Sequence, residues 1–361
     1  MLSHKLARIS TRPTKNLVNR VRRLATKPDA AKLDLSPCVK GILADVQSPD
    51  TPIEINGWVS SSRISKNVAF LDVNDGTTYE GIQWVIRPPS LLPSGIKNGT
   101  GIQVKGIWSE GKGKQKYEVH VNDTSQGKVN VLGPVDELFP MIKSNHSAQY
   151  LRTIPEYRWR DQSLAAILRF RSQVETTLVN FFDSQMFIKT HPPLVTASDC
   201  EGAGELFKIE SSSKLKNDEQ FFGKDAYLTV STQLHLEVLC AALSRVWTLT
   251  PCFRAEESDT NRHLSEFWML EAEIAFVDNV SQLTKFSEKM IKSVVTNLVA
   301  DYNGMGSNLI NTVDKSTTQI MTDRWEMLLS KDWDSITYTE AIKIIQNAVD
   351  SKSVKFETRP I

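Results

Sequence analysis

The chain has 361 residues, and 43 Lys and Arg against 42 Asp and Glu give it a formal net charge of +1. Hydrophobic residues make up 40% and charged residues 24%, an ordinary balance for a globular protein. This balance excludes a globally basic nucleic-acid-binding chain, so any such binding must use a local patch. No run of eighteen apolar residues occurs, so the sequence predicts no membrane-spanning helix.

The first 26 residues differ in composition from the rest. They are rich in Lys, Arg, Ser and Thr, and the first acidic residue is Asp29. Leu17, Val21 and Leu24 recur at helical spacing. A basic, acid-poor amphipathic segment is typical of a mitochondrial transit peptide, so we expect residues 1–26 to direct the protein to the mitochondrial matrix. The alternative is a basic arm that contacts RNA.

The cysteines indicate neither a disulfide framework nor a zinc site. Cys38, Cys200, Cys240 and Cys252 show no CxxC spacing and no paired histidines. We therefore expect reduced thiols in a reducing compartment.

Residues 40–132 carry the pattern of short β-strands. The candidate strands are "IEINGWVSSSRI", "NVAFLDV", "GIQWVI", "GIQVKGIW" and "QKYEVHV", and Asp75-Gly76 marks a hairpin. Short strands with tight turns predict a small barrel of the OB type, which commonly binds single-stranded nucleic acid on one strand face.

Aromatic rings that stack on bases and cations that meet phosphates are the usual contacts of such a face. Phe70 and Trp84 are the candidate stacking residues. The candidate phosphate contacts are Arg63, Lys66, Lys112, Lys114 and Lys116. The alternative is that Phe70 belongs to the core and the lysines to a solvated turn.

Residues 133–160 have scattered charge and no long period, as in a connector. A helix is predicted from Asp161, because apolar residues recur every three or four positions up to Phe181. We expect it to stop before Ile188, since Pro192-Pro193 forces extended backbone. The apolar face comprises Ile167, Phe170, Val174, Leu178 and Phe181.

The strand "AYLTVS" and the helix "TQLHLEVLCAALSRVW" follow, with Leu236, Leu239, Leu243 and Val246 in helical register. Two apolar strands then flank "RAEESDTNRHLSE". The order predicts an α+β fold with an antiparallel sheet. Glu271 and Glu273 share one face of the last strand, and we expect them to hold basic neighbours.

These segments resemble the class II aminoacyl-tRNA synthetases. The helix with "THPPLV" is similar to the first motif of that family, and "FRAEESDTNRHLSEF" to its second motif. An N-terminal OB-fold is typical of the aspartyl, asparaginyl and lysyl subgroup, and "ASDCEGAGELF" and "YLTVSTQLHLEV" most resemble its asparaginyl branch. The resemblance extends from about residue 50 to residue 361.

The resemblance implies an N-terminal OB-fold β-barrel followed by an incomplete class II synthetase antiparallel sheet flanked by helices. The expected domains are a transit peptide (1–26), an anticodon-binding OB-fold (40–132), a hinge (133–160) and a catalytic domain (161–361). It also implies a homodimer built on the helix from about 164 to 181 and on "THPPLV", with Phe181 at the interface.

The implied reaction is ATP-dependent activation of asparagine and its transfer to tRNA(Asn). Negative charge builds on the phosphates during activation, and a guanidinium suits phosphate oxygens. Arg254 resembles the family arginine between the α-phosphate and the amino-acid carboxylate, and hence the catalytic residue. The implied ATP-binding residues are Arg254, Glu256, Arg262, His263, Leu264 and Phe267, with Phe267 stacked on adenine. From the residues alone, a hairpin salt bridge is the favoured interpretation of the charged members of this set.

Amino-acid binding is implied for Glu201, Gln233 and Arg254. In aspartyl relatives a lysine follows the glutamine by three positions, and Leu236 stands there in this chain. Because a buried carboxylate without a cation is costly, this pocket favours asparagine over aspartate, although an aspartyl enzyme is the nearest alternative.

The resemblance also places anticodon readers on the barrel. Phe70 resembles the aromatic residue that stacks on the middle anticodon base, and Arg63 and Gln83 resemble its polar neighbours.

The family's third motif is the main departure. No G-x-G-x-x-R pattern follows Phe276, so we expect this motif and the family's Mg²⁺ ligands to lie beyond residue 361. A non-catalytic RNA-binding protein derived from a synthetase is therefore a further alternative.

Overall fold

The computed structural model describes residues 35–45, 47–111, 116–123, 127–142, 146–198, 205–210, 222–258, 260, 262–302, 315–351 and 353. The chain forms two compact units, Met1–His146 and Ser147–Ile361. No helix within the described ranges has both the length and the apolar character that a membrane crossing needs. The predicted transit peptide lies outside the described residues.

The described part of the first unit is a closed barrel of five strands, with one short helix before it and a sixth strand paired with the fourth. These are α1 (Val39–Ala44), β1 (Pro52–Ile64), β2 (Ala69–Asn74), β3 (Ile82–Arg87), β4 (Gly101–Glu110), β5 (Tyr117–Asn122) and β6 (Lys128–Gly133). The strand order is β1-β2-β3-β5-β4-β6, and β1 also pairs with β4, which closes the barrel. All pairings are antiparallel except β3 with β5. The predicted OB-fold is confirmed.

Side-chain alternation decides which residues fill the barrel. Leu71 and Trp84 are opposite each other in register and both are fully buried. Phe70 belongs to the other face of β2 and is half-exposed. The prediction that Trp84 stacks on a base is therefore wrong, because its side chain lies in the core.

The turn between β2 and β3 is longer than a two-residue hairpin and occupies residues 75–81. Gly76 has φ +82°, a conformation that glycine adopts without strain. The buried Asn74 side chain donates to the backbone oxygens of Thr78 (3.1 Å) and Glu80 (3.0 Å). Asn74 thus holds the loop from within.

The second unit combines helices with small sheets. Its described elements are α2 (Ala148–Arg152), α3 (Gln162–Ser184), β7 (Ile188–Lys189), β8 (Val195–Thr196), β9 (Tyr227–Leu228), α4 (Gln233–Leu243), β10 (Arg245–Phe253), β11 (Glu266–Ile274), α5 (Val280–Tyr302), α6 (Lys315–Ser330) and α7 (Tyr338–Asp350). Among the described strands, β11, β10 and β7 form one sheet, and β8 pairs with β9. Strands β10 and β11 are antiparallel, as predicted.

Helix α3 begins where the sequence predicts. Asp161 caps it by accepting from the backbone N–H groups of Ser163 (3.0 Å) and Leu164 (3.1 Å). It ends at Ser184, before Ile188 as predicted, because the chain turns at Met186 (φ +60°) and enters β7. Phe181 is 5% exposed and packs in the core of its own unit, so its predicted place at a dimer interface is wrong.

The predicted second helix also ends earlier than its apolar period suggested. Ser244 has φ +66°, so α4 stops at Leu243 and the chain enters β10. Val246 is therefore a strand residue and not part of the helix. Val246 still packs against the buried Leu236 and Cys240. The apolar spacing in the sequence therefore continues from α4 into β10.

The β10–β11 sheet has two different faces. Trp247 and Leu270 pack with Phe182 of α3, and the Phe182 ring is stacked on Trp247 with centroids 4.5 Å apart. Because strand residues alternate, Phe267 and Glu271 belong to the opposite face. The predicted site lies on that face, away from α3 and α5.

Candidate active site and nucleic-acid interface

The β10–β11 hairpin positions the predicted catalytic arginine. The ladder ends at the pair Phe253–Glu266, and the Arg254 N–H donates to the Ser265 oxygen at 3.1 Å, which extends it by one step. The Arg254 guanidinium carbon lies 5.3 Å from the centroid of the Phe267 ring, a cation–π distance. The two residues predicted to contact ATP phosphate and adenine are thus neighbours on one sheet face.

The loop between the strands carries the other predicted ATP residues. His263 Nε2 lies 3.7 Å from Glu256 Oε2, and His263 Nδ1 lies 2.9 Å from Ser258 Oγ and 2.5 Å from Thr260 Oγ1. Glu256 lies in this loop, beyond the end of β10. Arg262 and Leu264 are solvent-exposed on the same loop.

Backbone bonds tie two preceding segments to the hairpin. Ala255 N–H donates to the Glu205 oxygen at 2.8 Å, and Phe253 N–H donates to the Thr229 oxygen at 2.9 Å. The segment that follows "EGAG" therefore lies beside Arg254. Glu201, the predicted ligand of the substrate ammonium, lies outside the described residues.

Glu271 fastens the start of α4 to the sheet. Its carboxylate accepts from Ser231 Oγ, from the Thr232 N–H (2.9 Å) and from Thr232 Oγ1 (2.5 Å). The expectation that Glu271 holds basic neighbours is wrong, because its partners are hydroxyls and a backbone amide at the helix N-terminus. A carboxylate is favoured there by the helix dipole.

Gln233 is the first residue of α4, so the Glu271 contacts fix its position relative to the hairpin. Its side chain is exposed, and Nε2 donates to Glu237 Oε1 at 2.9 Å. Leu236, one turn further, is fully buried in the core.

The end of this sheet face near α4 is acidic. Burial, and then the charges of Glu237 and Glu271, raise the pKa of Glu273. Arg254 lies at the other end of the face, where β10 ends. The face therefore has an arginine at one end and clustered carboxylates at the other.

On the barrel, four outward-facing residues form one row across four strands. Arg63 is opposite Phe70, Phe70 is opposite Val85, and Val85 is opposite His120. Arg63 is exposed and Phe70 half-exposed, whereas Val85 is only 2% exposed between its neighbours. The structure thus places two predicted anticodon readers side by side.

The third predicted reader, Gln83, lies in the adjacent row, opposite Asp72. Its Nε2 donates to Glu118 Oε2 at 3.4 Å, and His120 Nε2 lies 2.8 Å from Glu118 Oε1. We did not predict Glu118 or His120 from the sequence. Alternation in "YEVHV" could have found them, since Val119 and Val121 fill the core and their neighbours must face outward.

The predicted phosphate contacts are only partly described. Lys66 and Lys116 are exposed. Lys112 and Lys114 lie outside the described residues.

Within the described ranges, no group of three or more His, Cys, Asp or Glu side chains could hold a metal ion. We assign Mg²⁺ no ligand among the described residues. In the part of the chain that the structure describes, Cys38, Cys240 and Cys252 form no disulfide. Burial raises the pKa of Cys240, and the charge of Glu273 adds to this effect.

Comparison with known families agrees with this arrangement. The profile of the tRNA synthetases class II (D, K and N) matches residues 151–360, and that of the OB-fold nucleic acid binding domain matches residues 53–125. The chain belongs to the class II tRNA synthetases. The first profile covers the β10–β11 hairpin, and the second covers most of the barrel.

Within the class II synthetases, the chain is similar to asparagine–tRNA ligases. The chain is 41% identical over 314 residues to the mitochondrial asparagine–tRNA ligase of Saccharomyces cerevisiae, covering 82% of this chain and 63% of that protein. It is 40% identical over 303 residues to the mitochondrial enzyme of Schizosaccharomyces pombe, covering 81% and 63%. The chain thus spans less than two thirds of these relatives.

Among solved structures, asparaginyl-tRNA synthetase from Pyrococcus horikoshii complexed with asparaginyl-adenylate matches with a TM-score of 0.70. The sequences are 25% identical, and the match covers 90% of this chain and 69% of that one.

Proposed function

We propose that the chain is part of an asparagine–tRNA ligase, which activates asparagine with ATP and transfers it to tRNA(Asn). The observation that carries this proposal is the position of Arg254 at the end of β10, over the Phe267 ring and on the sheet face that Glu271 ties to Gln233. The 41% identity to a mitochondrial asparagine–tRNA ligase supports the choice of amino acid.

In the proposed activation step, an oxygen of the asparagine carboxylate forms a bond to the α-phosphorus of ATP. The bond from that phosphorus to the bridging oxygen breaks, and pyrophosphate leaves with the electron pair. Arg254 stabilises the charge that develops on the α-phosphate, and Phe267 offers a ring face for adenine. Arg262 and His263, on the exposed loop, meet the outer phosphates.

The amino-acid subsite in our proposal includes Arg254, which meets the substrate carboxylate, and Gln233 at the start of α4. The Ala255 N–H donates to the Glu205 oxygen at 2.8 Å, so the segment that follows "EGAG" lies beside Arg254. Glu201 joins this subsite in our proposal.

Leu236 bears on the choice between asparagine and aspartate. Its side chain is fully buried, so no cation stands where the resemblance places the lysine of aspartyl enzymes. A substrate carboxylate would lack that partner, whereas an amide needs only neutral hydrogen bonds.

We propose that the barrel reads the anticodon with Phe70 as the stacking ring and Arg63 and Gln83 as polar contacts. Arg63 and Phe70 are neighbours across β1 and β2, and both reach solvent. A half-exposed ring beside an exposed cation is the arrangement expected for binding a single strand.

The proposal includes the mitochondrial matrix as the site of action and residues 1–26 as the targeting segment. The mitochondrial names of the two yeast relatives support it. A fluorescent fusion of the full chain should enter mitochondria, and deletion of residues 1–26 should leave it in the cytosol. Mitochondrial fluorescence of the deletion variant would favour the RNA-binding arm instead.

The homodimer also remains a proposal, with a changed interface. Ile167 and Leu168 on α3 are 48% and 44% exposed, and Ile188 of β7 is 47% exposed. An apolar surface of this kind can be buried by a second copy through a two-fold axis.

Pyrophosphate exchange tests the proposed activity. The protein expressed from its complete gene should incorporate labelled pyrophosphate into ATP when asparagine is present and not when aspartate replaces it. Exchange with aspartate alone would identify an aspartyl enzyme. Absence of exchange with either, together with retained binding of tRNA, would favour a non-catalytic RNA-binding protein.

A further inference from the structure

The outward face of the barrel contains a hydrogen-bonded group of three side chains, Gln83, Glu118 and His120. Glu118 is only 6% exposed, although it belongs to the outward face of β5. Each of its carboxylate oxygens has its own partner: His120 at Oε1, 2.8 Å away, and Gln83 at Oε2, 3.4 Å away. We call these three residues the β3–β5 polar group.

The chemistry of Glu118 fixes the orientation of both partners. A carboxylate only accepts hydrogen bonds, so the amide nitrogen of Gln83 must face Glu118, and His120 Nε2 must carry the proton that it donates. The oxygen of the Gln83 amide is then directed away from Glu118. An isolated glutamine could present either end of its amide to a ligand.

Amide orientation decides which base a glutamine can read. The middle of the uracil Watson–Crick edge is a donor, N3–H, whereas the middle of the cytosine edge is an acceptor, N3. A glutamine must turn its amide around to bind one instead of the other. A fixed amide therefore selects between two pyrimidines of nearly the same shape.

We propose that His120 is a positioning residue for this selection: by holding Glu118 it fixes the Gln83 amide, so that the barrel prefers uracil to cytosine at the middle anticodon position. The inference rests on the proposed function, because it needs the barrel to bind an anticodon. His120 also lies in the same row as Phe70, the proposed stacking ring. A base stacked on Phe70 thus lies near the β3–β5 polar group.

Variants of His120 separate positioning from packing. His120→Leu keeps an apolar side chain of moderate size but cannot donate to Glu118. In His120→Gln, an amide N–H can stand near the position of Nε2 and restore the donation. A third variant, Glu118→Gln, replaces the acceptor by a group that can donate or accept, so the Gln83 amide is no longer fixed.

The measurement is the affinity of the full chain for two RNA stem-loops with the anticodon sequences GUU and GCU. Wild type should prefer GUU by about 5- to 150-fold, the range of a good bidentate base contact. His120→Leu should reduce this preference by about 2- to 10-fold, the worth of one hydrogen bond, mainly by binding GCU better. Glu118→Gln should do the same, and His120→Gln should retain the wild-type preference.

The outcomes distinguish this inference from the function on which it rests. If wild type does not prefer GUU, the proposed anticodon reading fails. If wild type prefers GUU and a folded His120→Leu variant does so to the same extent, the positioning role is wrong and the proposed function stands. Should His120→Leu fail to fold, an unchanged preference in Glu118→Gln would equally overturn the inference.

Discussion

The barrel and the β10–β11 sheet place their functional residues on different supports. In the barrel, one continuous core that includes Ile55, Leu71 and Trp84 lies beneath the outward row that holds Arg63 and Phe70. In the second unit, the buried cores are smaller and separate, one around Phe182 and Trp247 and another around Leu236. In the site of that unit, hydrogen bonds accepted by Glu271 tie the start of α4 to the sheet.

This difference indicates how each region should respond to substitution. Changes to exposed or half-exposed uncharged side chains of the barrel face leave its core intact, so they should alter binding with little change in stability. The site of the second unit shares Glu271 with the start of α4, so its chemistry and local fold are coupled. Four experiments use this contrast, in order of decreasing expected effect.

Phe181→Asp should have the largest effect, because it places a charge in the core beside Phe182 and Phe286. Loss of the ring alone costs about 3–5 kcal/mol, and an unpaired buried charge adds to this. The second unit should unfold at lower urea, with the barrel transition unchanged. Ile167→Asp is the matched control, since it should shift a dimer toward monomer in sedimentation with little loss of stability. A single urea transition in which both units of Phe181→Asp unfold together would contradict the view that the barrel and the second unit have separate cores.

Arg254→Ala should reduce asparagine-dependent pyrophosphate exchange by about 100-fold or more, as expected for loss of one charge-stabilising donor. Arg254→Lys should recover only part of the rate, because lysine lacks the planar pair of donors that matches phosphate oxygens. Both variants should bind the GUU stem-loop as wild type does. A rate for Arg254→Ala near that of wild type would remove this residue from the proposed mechanism.

Phe70→Ala should weaken binding of the GUU stem-loop by about 1–3 kcal/mol, the worth of one stacked base. Because Phe70 lies outside the core, the free energy of unfolding should change little and pyrophosphate exchange not at all. Filter binding at matched salt measures the first quantity and urea titration the second. Equal RNA affinity of variant and wild type would leave Phe70 without the proposed role.

The smallest effects concern two carboxyl groups and pH. Burial raises the pKa of Asp72, and burial together with neighbouring charges raises that of Glu273. Since the folded state then binds a proton more tightly than the unfolded state, the stability contribution falls as pH rises from the ordinary pKa of about 4 to the raised value. Asp72→Asn should reduce the fall in the free energy of unfolding of the barrel, and Glu273→Gln the fall in that of the second unit. If the free energy of unfolding depends on pH in the same way in variant and wild type, the pKa of that carboxyl group is not raised by folding.

The sequence predicted the strands of the barrel and the hairpin because each has a strict alternation between turn residues. The resemblance assigned Arg254 and Phe267 to one ATP site, and the structure places the two side chains next to each other. The sequence could not tell which face of β3 is inside. Only the pairing of Trp84 with Leu71 puts Trp84 in the core, and that pairing depends on register across the sheet.

The sequence also could not predict where some helices end. The apolar period of α4 continues through Val246, but the helix stops because Ser244 adopts φ +66°. A serine gives no strong signal for such a conformation. The role of Glu271 was missed for a similar reason, because its partners Ser231 and Thr232 are 40 and 39 residues away in the chain.

Charging of tRNA tests the central claim most directly, because it requires both regions to act on one substrate. The protein expressed from its complete gene should attach labelled asparagine to a tRNA(Asn) transcript, and kcat/KM should fall when the middle anticodon base is changed from U to C. Pyrophosphate exchange, measured without tRNA on the same enzyme preparation, should show that activation of asparagine is intact. Equal charging of the two transcripts, or no charging of either, would contradict the account.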